Sequence, residues 1–284
     1  MASVANNSEG KVLEIKTVQI APFRTLMTAL KDILLETNIV FSKDYVDSKG
    51  NTVPAGIRII NMDKSHTILA HLFLDALKFE HFYCKYPKIV IGVNMFHLFK
   101  LINTIDNDDT LTIYIEEKDY SDGIVEYLGL KFENGDIKQM KIQKLKLIEP
   151  DEEELDMPSV KFSSIINLPA TDFQKIIRDL SNISERLEIK SIGSELVFSC
   201  TGPFATAQIN RTESDGVTEF VKKTDDTQVI QGEFSLKNLG YFIKCTNLCS
   251  NIEMFLENDL PLVVKYSVAS LGEIKLCLAP LPAS

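Results

Sequence analysis

Seven basic residues carry the clearest chemistry in this chain: Arg24 and Lys31, Lys100, Lys175 and Arg178, and Lys237 and Lys244. They fall in four short stretches, 23–34, 94–104, 171–182 and 235–245, whose only acids are Asp32, Asp172 and Asp179. Seven cations against three acids leave these stretches at +4; the whole chain is at −10, so the remainder carries −14. Positive charge reserved for a few repeated places on an acidic protein is the chemistry of a local surface for phosphates. Catalytic chemistry finds no such footing. The four histidines, His66, His71, His81 and His97, are scattered with no obvious nucleophile beside them, and no P-loop, dinucleotide-binding glycine pattern or Gly-x-Ser-x-Gly elbow occurs. His81-x-x-Cys84 and Cys245-x-x-x-Cys249 each lack the second pair that a zinc site uses. The expectation is a binding protein rather than an enzyme, with no catalytic residues, metal or cofactor.

Each basic stretch has the form of a helix leading through a turn into a strand. In 23–34 the apolar residues Phe23, Leu26, Met27, Leu30, Ile33 and Leu34 trace one buried face. Arg24 and Lys31, two turns apart, are expected on the opposite face; Lys237 and Lys244 repeat that spacing, and Lys175 and Arg178 sit at i, i+3. Thr171-Asp172 offers an N-cap for the third helix. Strand patterns are strong at Leu111–Glu116, Leu187–Lys190, Met254–Glu257, Leu262–Val268 and Glu273–Leu278, with hairpin turns at Asp122-Gly123 and Asn134-Gly135.

Helix-then-strands occurs twice in the first half and twice again in the second, the mark of an internal duplication. At 284 residues the chain suits two domains. Between the halves, Pro150 and Pro158 bracket a run in which five of the six residues 151–156 are acidic, a solvated connector that nonetheless keeps Leu155 and Met157. The expected division is a flexible tail at 1–11, a first domain at 12–146, a connector at 147–160 and a second domain at 161–284. Residues 1–10 lack the apolar core of a signal peptide, and no apolar run reaches the roughly 18 residues of a membrane span. Five cysteines without framework spacing fit a reducing, intracellular setting.

Seven segments then carry a resemblance. Ala29-Leu-Lys-Asp32, Asn61-Met-Asp-Lys-Ser-His66, Gly92-Val-Asn94, Leu155-Asp-Met-Pro158, Ile177-Arg-Asp-Leu-Ser181, Leu260-Pro-Leu-Val-Val264 and Leu278-Ala-Pro280 occur in the order and near the spacing of the eukaryotic-type DNA sliding clamps, the proliferating cell nuclear antigen family. The chain resembles a divergent member over Lys11 to Pro280, with an extra N-terminal tail and an insertion around Val46 to Pro54. The resemblance implies an α+β DNA clamp (processivity fold): two similar domains, each with two helices packed on antiparallel sheets, forming a homotrimeric ring. Arg24, Lys31, Lys100, Lys175, Arg178, Lys237 and Lys244 fall on the family's channel-lining, DNA-binding positions; Asn103 stands at a position commonly basic. A groove for clamp-binding peptides of DNA polymerase, nuclease and ligase is implied at Met62, His66, Leu69, Leu155, Met157, Pro261, Cys277, Ala279 and Pro280. Cys277 departs from the family's large aromatic, so the pocket is expected to be roomier or to favour another anchor. Ring closure is implied between strands near Met140 to Leu147 and Phe204 to Thr212. Gly193 replaces a lysine that is modified in many relatives, with Lys190 close by.

The implied function is a DNA polymerase processivity factor that encircles duplex DNA without reading sequence, served by a clamp loader, and recruits replication and repair proteins. The implied place is the nucleus, or a viral replication compartment for a viral source, with no membrane partner. Two other readings keep the fold or the binding role: a checkpoint-type subunit of a heteromeric ring, and a monomeric processivity subunit that never closes. An enzyme with an unseen carboxylate site is the remaining reading, against which stands the lack of any convergent acid–base set.

Overall fold

A computed structural model describes residues 9–46, 50–151, 155 and 160–282. Residues 1–8 of the expected tail at 1–11, the middle of the insertion at 47–49, and Met157 and Pro158 of the connector lie outside the described residues; Lys11, expected in the tail, instead opens the strand Lys11–Thr17. The chain divides into two compact units. One comprises Met1–Asn61, Leu72–Leu155 and Ser270–Gly272, the other Met62–His71, Asp156–Ala269 and Glu273–Ser284. Each unit thus includes one short piece from the other half of the sequence.

The first unit builds a five-stranded antiparallel sheet in the order Gln139–Lys146, Tyr127–Asn134, Thr110–Glu116, Lys11–Thr17 and His81–Cys84. A second group pairs Glu36–Ser42 with Gly56–Met62 on one side and Lys88–Asn94 on the other. Two helices, α1 (Ile20–Ile33) and α2 (Met95–Ile102), pack against each other. The apolar period of α1 delivers Phe23, Leu26, Met27, Leu30 and Ile33 to the core, as its spacing requires. Gly92 explains its own place in the strand Lys88–Asn94. A side chain there would meet the carbonyls of Ile148 and Glu149 at 2.6 and 2.7 Å, where the chain leaving the last strand bridges back. Asn38 holds the next part of that segment, donating to the Asp151 carbonyl at 2.7 Å and accepting from its N–H at 2.9 Å.

The second unit repeats the plan. A four-stranded sheet runs Thr206–Thr212, Glu195–Thr201, Arg186–Ile192, Val229–Ser235. A second group runs Glu219–Lys222, Ser164–Pro169, Asn251–Leu256, Leu262–Val268, Gly272–Leu278. Helices α3 (Ala170–Ser181) and α4 (Leu236–Phe242) pack together, α3 burying Phe173, Ile176, Ile177 and Leu180. The Asp122-Gly123 hairpin forms with both residues at positive φ, and the Asn134 side chain accepts from the N–H of Asp136 at 3.1 Å to start the turn 135–138.

Two expectations need correction. Thr171-Asp172 does not cap α3: the cap position is Pro169, which offers no side-chain acceptor, and the Asp172 carboxylate instead takes Arg211 at 3.1 Å. The fourth helix does not run to Cys245. It ends at Phe242 and continues as a tight 3-10 turn over Ile243–Leu248, so Lys244 lies beyond the helix that carries Lys237. Gly240 weakens helix there. The Ile243 carbonyl is satisfied sideways, by the Thr246 hydroxyl at 2.6 Å and the Gln174 amide at 3.3 Å.

Candidate nucleic-acid interface and peptide groove

Among the seven basic positions, the structure separates solvent-facing cations from packed ones. Lys100, Lys175, Arg178, Lys237 and Lys244 are exposed. Lys175 pairs with Asp179 one helical turn on, at 2.9 Å, an exposed pair that contributes little to stability. Lys244 stands over the Tyr241 ring at 5.5 Å. Arg24 and Lys31 differ. Arg24 is half-buried, its guanidinium donating to the Ile105 carbonyl while its Nε is buried without a partner. Lys31 is paired with Asp32 at 2.7 Å and lies 4.8 Å from the centre of the Phe99 ring. A cation that is already desolvated and hydrogen-bonded has less to offer an incoming phosphate. Helical spacing alone put Arg24 and Lys31 on the solvent face; the neighbouring α2 and the loop after it cover them.

The groove positions are brought together to a large extent. A cavity of about 300 Å³ in the second unit is lined by Met62, His66, Thr67, Leu69, Val160, Phe162, Leu260, Pro261, Val263, Cys277 and Ala279. Six of the nine expected residues are there. Pro280 lines a different, more polar depression of about 660 Å³ with Gln231, Glu233, Asn258 and Asp259. Leu155 is half-buried but not part of the lining, and Met157 lies outside the described residues. Val160, the last residue of the expected connector, and Phe162 also line the cavity without having been expected there; their position just after Pro158 in sequence is the signal that could have found them.

The turn Asn61-Met-Asp-Lys-Ser-His66 earns its pattern through Asp63. Its carboxylate accepts from the N–H groups of Thr67 at 2.8 Å and Ile68 at 2.7 Å and from the Ser65 hydroxyl, while His66 takes positive φ. Thr67 then passes its carbonyl to the Ala279 N–H at 2.9 Å, joining the turn to the other wall of the cavity. Partial burial pushes the Asp63 carboxyl up, but the hydrogen bonds from Ser65, Ile68 and Thr67 outweigh it and hold the group below its usual range. A depressed folded-state pKa stabilises above the ordinary carboxylate value, and that contribution is lost as pH falls through the folded value. Asp63→Ala is therefore expected to cost about 1–3 kcal/mol at neutral pH by removing the acceptor of three N–H groups, those of Ser65, Thr67 and Ile68. The gap from wild type in urea melts should begin to narrow below about pH 4, where the unfolded chain's carboxyl protonates, and narrow further as pH falls through the depressed folded-state value. A gap that stays constant down to acid would show that the charge is not what holds the turn.

Cys277 is buried against the cavity, and burial pushes its thiol up to about 11 against the opposing pull of Lys275. It is thus a small, neutral, apolar lining group. The other four cysteines are likewise not joined in disulfides, and Cys84, Cys200 and Cys245 are buried.

The strands implied in ring closure are both sheet edges. Among the described residues, Gln139–Lys146 pairs only with Tyr127–Asn134, and Thr206–Thr212 only with Glu195–Thr201. Met140 and Ile142 on the first, and Phe204 just before the second, are exposed apolar side chains, which an edge left to solvent normally avoids. Among the described residues no helix is long and apolar enough to cross a membrane.

Comparison with known proteins agrees with this geometry. Residues 12–154 match the family model for the N-terminal domain of proliferating cell nuclear antigen, and residues 156–281 the model for its C-terminal domain. The chain is 31% identical over 299 aligned residues to a "Probable DNA polymerase sliding clamp" of Acanthamoeba polyphaga mimivirus, an alignment covering 96% of this chain. It spans only 63% of that relative's length. It is also 30% identical over 279 residues to "Probable DNA polymerase sliding clamp 1" of Paramecium bursaria Chlorella virus 1, covering 97% of this chain and 99% of the relative. With two helix-pair-on-sheet units in sequence, each half matched in order by one of the family's two domains, this chain belongs to the proliferating cell nuclear antigen family.

Proposed function

We propose that the protein is a DNA sliding clamp and polymerase processivity factor, a tethering protein with no reaction of its own. In this reading 12–146 and 161–284 are its two domains and 147–160 the connector, and three copies close into a ring around duplex DNA. The observation that carries the reading is that a chain at −10 keeps Lys100, Lys175, Arg178, Lys237 and Lys244 in solvent on or beside its helices. Such cations meet phosphates, which position a duplex without reading its sequence, so the ring can move along it. Closed cyclic symmetry then retains the protein by topology rather than by tight binding. The apolar cavity at Met62, Leu69, Pro261 and Ala279 supports recruitment of replication and repair proteins through short peptides with apolar anchors. A replication compartment, nuclear or viral, is the corresponding place in the cell.

The test is native mass together with retention on circular and linearised DNA. A trimer that stays on circles and runs off cut ends is the expected result; a monomer with equal retention on both would end the ring reading. Reversing the charge of Lys100, Arg178 and Lys237 together should weaken loading and polymerase stimulation while leaving mass and melting temperature unchanged. The residual DNA contact of the wild type should fall steeply with salt. Unchanged stimulation by the triple variant would place these cations away from DNA.

A further inference from the structure

We propose that the exposed face of α2 is a stacking platform for unpaired bases, a binding site for single-stranded nucleic acid distinct from contact with duplex phosphates. Phe96 sits on this helix with 44% of its surface exposed, beside an exposed His97 whose ring centre is 6.4 Å away. The Asn94 side chain accepts the His97 N–H at 3.1 Å, fixing the start of the helix and with it both rings. Phe99 follows one turn later on the same side, partly exposed. Lys100 stands over the Phe96 ring at 4.5 Å and Lys31, from α1, over Phe99 at 4.8 Å. No acid occurs anywhere in 94–105 of this acidic chain.

Rings for bases and one solvent-exposed ammonium group for the backbone, that of Lys100, are thus combined within a turn and a half of helix, while Lys31 is held by Asp32. That combination is the recognition chemistry of single strands, in which stacking on an aromatic face is sequence-tolerant and cations track the phosphates. A duplex hides its base faces and needs only the cations, so phosphate contact does not account for two phenylalanines and a histidine at this surface. An apolar peptide is a poorer occupant, because each phenylalanine ring already carries a cation that would have to be buried with it. The site lies within the first unit and acts whether or not the protein closes into a ring.

The experiment is fluorescence anisotropy at low salt with three labelled probes of equal length: an oligothymidylate, an abasic strand and a duplex. Wild-type protein is expected to prefer the oligothymidylate to the abasic strand. Phe96→Ala and Phe96→Leu should each lower oligothymidylate affinity by about fivefold to a hundredfold, the scale of one lost stacking contact. Both should leave the abasic strand and the duplex unaffected. Lys100→Ala should weaken all three. Phe96 is exposed, so the variants should melt as wild type does; if one fails to fold, the comparison of oligothymidylate with abasic strand on the wild type decides alone. Equal binding of those two probes, undiminished binding by Phe96→Leu, or no single-strand binding at all would each overturn the proposal, the last leaving this face to a protein. Failure of ring closure shows in mass and in retention on circles, and changes none of these readouts.

Discussion

Replacing Ile209 by proline is expected to turn a trimer into monomers and abolish retention on circular DNA. Ile209 lies mid-strand in Thr206–Thr212, opposite Phe198 of the only strand that pairs with it within the described residues. A proline removes one ladder donor, and its ring obstructs a strand laid alongside. Within the unit the loss is local, since Glu195–Thr201 is still held by Arg186–Ile192 on its other side. In the proposed ring, the same disturbance would fall at the centre of a short seam between copies. Ile142→Glu on the opposite edge strand serves as the partner test. Ile142 is exposed, so a carboxylate there costs the isolated fold little, yet it would be buried unpaired in a strand-to-strand seam. Both variants should therefore run as monomers by light scattering at micromolar concentration with near wild-type melting temperatures. Monomer from Ile209→Pro alone, with Ile142→Glu still trimeric, would mean that the Gln139–Lys146 edge is not part of the contact.

The second large effect concerns the cavity. Met62→Ala with Leu69→Ala should weaken capture of a glutamine-plus-aromatic clamp-binding peptide by about a hundredfold or more, because buried anchor contacts commonly contribute about 2 kcal/mol or more each. Both side chains line the cavity from the same stretch that Asp63 braces, so the loss is one of contact rather than of the turn. Leu155→Ala should change affinity little, since Leu155 is not part of the lining. Cys277→Tyr should also weaken binding, by placing a ring in space that the thiol leaves open. Calorimetric titration of the peptide into each variant gives the comparison, with trimer mass as the control for folding. Equal affinity in wild type and the Met62/Leu69 double variant would remove the cavity as the docking site.

Much of the architecture was legible from local pattern. The apolar spacing of 23–34 and 171–182 produced α1 and α3, and alternation at Leu111–Glu116 and Leu262–Val268 produced strands, because periods of 3.6 and 2 are properties of consecutive residues. The hairpins at Asp122-Gly123 and Asn134-Gly135 followed for the same reason: turn chemistry is carried by the turn's own residues. The misreadings arose where a distant segment competed. Asp172 had two uses, capping α3 or pairing with Arg211, and only the strand Thr206–Thr212 brought the second within reach. The fourth helix stopped early because Thr246 and Gln174, the latter from another helix, took the carbonyl that the next turn would have used.

The sequence by itself determined the charge pattern, the duplicated plan and the kinds of residue available for a phosphate surface and an apolar groove. Those are sums and periods over neighbouring residues, and folding does not change them. Which cations stay exposed was decided only by tertiary structure, since Arg24 and Lys31 are as basic as Lys100 but pack against the loop at Ile105 and the ring of Phe99. The cavity was decided in the same way. Met62, Phe162, Pro261 and Ala279 are remote in the chain, and a pocket exists only where segments so far apart pack without filling the space between them.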